Sequence, residues 1–182
     1  MSVAVLKQLV TPLSYLRITS ARHEKLWVDL LYPAAAAAIV TLVWARWPEA
    51  MPFRGGDGLL SGVGSFMQVL VGFYVAGLAA VATFPRKSLD QDMVGIQFKG
   101  KPLPRRQFLS YMFGYLALVS LAMLVAHLLR AVPTAVLSNI SDPVGFHLAK
   151  GAFVFVYQFM FWQMILITLL GIHFLAYRIH VD

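Results

Sequence analysis

The chain has 182 residues, of which 59% are hydrophobic and 13% charged, with fifteen Lys and Arg against eight Asp and Glu and no cysteine. A soluble domain is about 45–50% apolar and about 25% charged, so a water-soluble globule is not the expected class, and the mean hydropathy of +0.72 excludes a disordered chain. Without cysteine there is no disulfide framework, no thiolate zinc site and no cysteine nucleophile.

The first 25 residues place Leu6, Leu9, Val10, Leu13 and Leu16 among Lys7, Gln8, Ser14 and Arg17, a spacing that predicts an amphipathic helix lying in the membrane interface. A cleaved signal peptide is the competing reading. It fails because the charged lead is too long and the apolar stretch behind it is too long as well. Four apolar segments follow, at 26–45, 59–84, 108–129 and 151–177. About 20 helical residues cross about 30 Å of hydrocarbon, so each segment is long enough to span alone. The expected fold is an all-α integral membrane protein: a four-helix bundle over 26–182, joined between spans two and three by a loop at 85–107. Pro33 lies about one turn into span one, where it can kink the helix, although neighbouring helices often satisfy the carbonyl it frees.

Eleven of the fifteen basic residues lie before span one, between spans two and three, or after span four; four lie near the two other loops. The positive-inside rule then places both termini and the 85–107 loop in the cytoplasm. Most of the net charge of +7 is a topology signal, and a nucleic acid is not the expected partner. Within the loop, residues 93–98 read as a strand, Lys99 and Gly100 as a turn, and 101–104 as an extended return; Ile96, Phe98 and Leu103 would then need cover. Outside, Trp44 and Trp47 suit headgroup depth, and Pro143 suits the first turn of a helix that begins before span four.

Ionisable residues within spans mark function by default. Asp29 sits one turn inside span one, with Arg86, Lys87, Arg178 and His180 as expected partners; an ion pair that pins helix ends is favoured over a proton or cation site. His127 and His173 lie near opposite ends of spans three and four, about 20 Å apart along the axis, too far to share a haem or a metal. No metal, no cofactor and no catalytic constellation is expected: the chain has no Gly-x-Ser-x-Gly elbow and no phosphate-binding loop.

Span two carries Ser61, Ser65, Gln68 and Gly72 on one helical face, continued by Ala76 and Ala79, and a second small row Gly64–Gln68–Gly72–Ala76–Ala80. A packing seam is favoured over a pore lining, because no ring of charge accompanies the face. The depths of Gln68, Gln158 and Gln163 overlap, so amide pairs between spans two and four are feasible, each worth about 0.6–2 kcal/mol.

Compact charged collars lie at Arg22, His23, Glu24 and Lys25 before Leu26 and Trp27, at Arg86 and Lys87 after Phe84 and Pro85, and at Arg105 and Arg106 before Gln107 and Phe108. This layout resembles the small four-span membrane subunits of bacterial anti-phage defence systems, the Kiwa membrane subunit among them. The resemblance implies a homo-oligomeric protein of the bacterial inner membrane that senses or responds to infection and works with a cytoplasmic partner; a non-enzymatic role is expected separately, because almost no ionisable group lies within the spans. The basic set Arg86, Lys87, Lys99, Lys101, Arg105 and Arg106 is the expected docking face for that partner or for anionic lipid, while the alternative function is a pore that permeabilises the membrane.

Overall fold

A computed structural model describes residues 11–20, 24–47, 59–85, 87–129 and 143–175. The chain is mostly helical, and four of its helices are long and apolar enough to span a membrane. We label them α1 (24–46), α2 (Leu59–Thr83), α3 (Arg105–Leu128) and α4 (Pro143–His173). Helix α4 starts well before the apolar segment with Pro143 as its first residue, as the proline's fixed φ and missing N–H favour.

Helix α3 is the centre of the bundle. Half of its spanning window is buried, against 17% for α1 and α2. Helix α2 packs on α3, α1 packs on α4, and α3 and α4 pack on each other. The small residues of α1 explain its choice of neighbour: Pro33 and Ala37 are buried on one side, while Leu30, Ile39 and Leu42 face outward.

The all-α expectation needs one amendment. At one end of the bundle lie three short antiparallel strands in the order β1-β2-β3: β1 (Ile18–Ser20), β2 (Asp92–Phe98) and β3 (Lys101–Pro104). The hairpin matches the strand, turn and return read from the sequence, and its turn uses positive φ at Lys99 (52°) and Gly100 (76°), the twist that suits a tight two-residue connection. Leu103 is buried, while Ile96 and Phe98 are partly covered by the core; the Phe98 ring lies 5.4 Å from that of Tyr111. Prolines 102 and 104 blunt the outer edge of β3 by removing two donors.

The strand β1 was not expected. Of the interfacial helix predicted over 1–25, residues 1–10 and 21–23 lie outside the described residues, Thr11–Arg17 is a 3-10 helix, and Ile18–Ser20 pairs with β2. The β-branched pair Ile18 and Thr19 fits a pleated strand better than a helix, and the exposed backbone of β2 supplies the partner. Tyr15 and Ile18 are the residues this segment buries; Leu13 and Leu16 remain exposed.

Candidate functional site

The most polar part of the interior is a knot that ties the amino-terminal segment to three helices. It begins with a backbone irregularity in α1. Residues Trp27–Leu31 are π-helical, with the Tyr32 N–H donating to the Trp27 carbonyl, five residues back. Pro33 follows at once, and it lacks the N–H that an α-helical register would direct to the Asp29 carbonyl. Gln163 of α4 replaces it: its Nε2 donates to that carbonyl at 2.7 Å. The Gln163 Oε1 in turn accepts from the Tyr115 hydroxyl of α3, also at 2.7 Å. The carbonyl freed by Pro33 is therefore satisfied by a neighbouring helix, as a span requires.

The side chain of Asp29 closes the circuit. Its Oδ1 accepts from the Tyr15 hydroxyl at 3.1 Å, and its Oδ2 pairs with the ammonium of Lys25, one turn earlier in α1. The Lys25 Nζ also lies 4.2 Å from the centre of the Tyr15 ring, a cation–π contact, and that ring stacks on Tyr115 at 5.2 Å. Asp29 and Gln163 are only 6% and 7% exposed, and Tyr15 is fully buried. Burial, reinforced by the neighbouring carboxylate of Asp29, drives the Tyr15 hydroxyl well above the ordinary tyrosine pKa, so it serves as a donor and not as an acid.

Among the described residues, the ion pair of Asp29 is with Lys25 on its own helix. Lys87 is exposed elsewhere, while Arg86, Arg178 and His180 lie outside the described residues. Within the protomer no amide pair joins spans two and four among the described residues: Gln163 bonds to Asp29 and Tyr115, Gln158 is buried, and Gln68 is exposed. The link between α2 and α4 is instead Tyr74 to Thr168, hydroxyl to hydroxyl at 2.6 Å.

Helix α2 turns most of both small rows outward, with Gly64 as the buried exception. Val63, Gly64, Met67, Tyr74 and Val81 face inward, whereas Ser65, Gln68, Gly72, Ala76 and Ala79 are exposed. The side chain of Ser61 lies outside the described residues. A methyl group on Gly64 would come within 2.7 Å of the His127 ring of α3, so that ring would have to shift. His127 is thereby a packing residue between α2 and α3, and His173 is exposed at the far end of α4. Gln68 makes no hydrogen bond to another described residue, although it lies about 9 Å along the axis from Gly62, the first residue of the spanning window.

The basic set is not uniform. Lys87, Lys99 and Lys101 are exposed at the sheet end, and Arg105 is half-buried. Arg86 lies outside the described residues. Arg106 is engaged internally: its Nη1 donates to the carbonyls of Val81 (2.8 Å) and Phe84 (3.0 Å), capping α2, while its Nε donates to Asp90 at 2.7 Å. A cation at a helix carboxy-terminus satisfies the last carbonyls and meets the negative end of the dipole. Hydrogen bonding to this guanidinium holds the Asp90 carboxyl below its ordinary value.

Lys25, Tyr15 and Tyr115 were missed as site residues. The usable signal was the Asp29–Pro33 spacing, which names the freed carbonyl. Nothing in the spacing of the two tyrosines announces that they stack. Among the described residues, no group of three or more His, Asp or Glu could hold a metal. The chain matches no protein-family model, no curated protein and no solved structure. What fold and site define together is a class: a predominantly helical chain with four helices of spanning length, a small sheet at one end and an internal polar knot.

Proposed function

We propose that the chain is a non-enzymatic, homo-oligomeric membrane protein of the inner membrane, with both termini and the sheet end in the cytoplasm. The observation that carries the oligomer is Gln68. An amide in hydrocarbon without a hydrogen-bond partner costs several kcal/mol, and the exposed row Ser65, Gln68, Gly72, Ala76 and Ala79 offers a second copy both the partner and the close approach that small residues permit. Lys87, Lys99 and Lys101 form the exposed part of a docking face for a cytoplasmic protein, with anionic headgroups as the competing ligand. Arg106 is withdrawn from that role by its internal bonds. A part in anti-phage defence, as sensor or effector, accords with the charged collars, and the genes neighbouring this one would test it.

The pore is the second reading, and the same row favours a particular form of it. With Ser65 and Gln68 on the outside of the protomer, a conducting path would run between subunits and not through the bundle of one. Gln68→Leu separates the readings. Loss of oligomeric mass in detergent supports the seam; intact mass with abolished ion flux in liposomes supports the pore. Intact mass and intact flux would sink both.

A further inference from the structure

We propose that the π-helical turn of α1 is a hinge, held in its present register by the knot around Asp29, through which the sheet end controls the rotation of the first turn of α1 relative to the rest of that helix. Three observations converge on it. The turn Trp27–Leu31 carries a register irregularity of one residue relative to the α-helix Tyr32–Arg46 that follows. The Asp29 carbonyl inside that turn is held by a side chain of another helix, Gln163, so its satisfaction can be lost without breaking α1 itself. The side chain of the same residue is held by Tyr15, three positions before β1, and β1 pairs with the hairpin. A displacement of the hairpin is therefore transmitted through β1 and Tyr15 to Asp29 in a few steps, each a named bond or a short stretch of backbone.

The two states differ in a definite way. Removing a one-residue irregularity turns the helix before it by about 100° and shifts it by about 1.5 Å relative to the helix after it. Lys25 would leave Asp29 and the Tyr15 ring as it turned, so the ion pair, the cation–π contact and the π register are made and lost together. Such register shifts fall in the microsecond-to-millisecond range. The hinge does not depend on oligomer formation, and its failure would leave the seam on α2 untouched.

The absence of cysteine makes the test direct, because introduced pairs are the sole labelling sites. Leu26→Cys and Ile39→Cys, both exposed, place spin labels on either side of the turn; Ile39→Cys with Leu121→Cys reports on the bundle alone. In the full chain in nanodiscs, the Leu26–Ile39 pair should give one distance. Gln163→Leu should add a second population displaced by about 5 Å, given the rotation above, and Tyr15→Phe a smaller fraction of the same population, with the control distance unchanged. An unaltered Leu26–Ile39 distribution in Tyr15→Phe and in Gln163→Leu overturns the proposal. If Gln163→Leu does not fold, Tyr15→Phe decides alone: a second distance supports the hinge. Broadening of both distances together would instead make the knot a requirement of the fold, and the hinge would be wrong.

Discussion

Two polar groups in this chain have opposite fates. The knot of Asp29, Lys25, Tyr15, Tyr115 and Gln163 is turned inward and bonded on nearly every side, whereas the row on α2 with Gln68 at its middle is turned outward. Both cost free energy to hold in an apolar medium, and they differ in where the compensation lies. The knot is satisfied within one protomer, by groups that come from three helices and the amino-terminal segment. The Gln68 amide at the middle of the α2 row makes no hydrogen bond to another described residue, and in the proposed reading its partner comes from a second copy. Inward polarity therefore stabilises this fold, and outward polarity, in the proposed reading, specifies its assembly.

The largest effect should come from breaking the knot at its charged centre. Asp29→Ala leaves the Lys25 ammonium without its carboxylate and the Tyr15 hydroxyl without an acceptor. A broken buried pair costs about 3–5 kcal/mol, and because Lys25 keeps some exposure the lower figure of about 3 kcal/mol is expected, read as a loss of thermal stability in detergent. The double variant Asp29→Leu with Lys25→Met should recover much of that loss, because replacing both charges removes the uncompensated one. If the double variant is no more stable than Asp29→Ala, the pair is not what holds the knot.

Next in size is the change that leaves the protomer alone. Gln68→Leu should leave its thermal stability within about 0.5 kcal/mol, as an outward substitution does, while weakening subunit association by about 0.6–2 kcal/mol per amide contact. Mass measured in detergent across a dilution series reads the second quantity. A fall in protomer stability matching that of Asp29→Ala would erase the distinction between the two groups.

Much of this contrast was legible in the sequence, and the part that was not has a physical cause. Helical spacing placed Ser65, Gln68 and Gly72 on one face, but periodicity does not say which way a face points when the opposite face is also apolar. In a soluble helix the polar side marks the solvent; α2 in the proposed membrane setting has no such reference. Pro33 identified a carbonyl in need of a donor by local chemistry alone, without identifying Gln163, which lies 134 positions from Asp29. The hairpin was readable because turn residues bound it. Strand β1 was not, because three residues carry too little pattern and its partner lies 78 positions away, as the Thr19 contact to the Gln97 carbonyl shows.

A smaller effect should follow from the clamp at the sheet end, which separates structural from docking charge. Arg106→Gln removes the cap on α2 and the bond to Asp90, so thermal stability should fall, whereas Lys99→Gln and Lys101→Gln should leave it unchanged and weaken only recruitment of a partner or binding to anionic vesicles. The pH dependence has a sign. Asp90 is held below its ordinary value in the folded chain, so its contribution is present above the ordinary carboxylate value of about 4 and is lost as pH falls through the lower folded one. The stability gap between the parent chain and Asp90→Asn should therefore close in acid; a gap that stays constant to pH 2 would remove the ion pair from the account.

The effect expected at the alkaline end returns to the knot. The Tyr15 pKa is raised by burial and by Asp29, so the folded chain keeps its proton where the unfolded chain begins to release it, near pH 10. Folded stability should accordingly be flat through neutral pH and decline above about pH 10, as the unfolded state gains by ionising. Tyr15→Phe loses one hydrogen bond to a charged acceptor, about 1.5–3 kcal/mol at neutral pH, and should also lose its share of the alkaline decline. The difference between parent and variant then shrinks as pH rises from 9 to 11. A difference that does not change over that range would mean that Tyr15 is not held as a neutral donor, and the knot would lose the contact that joins it to the sheet.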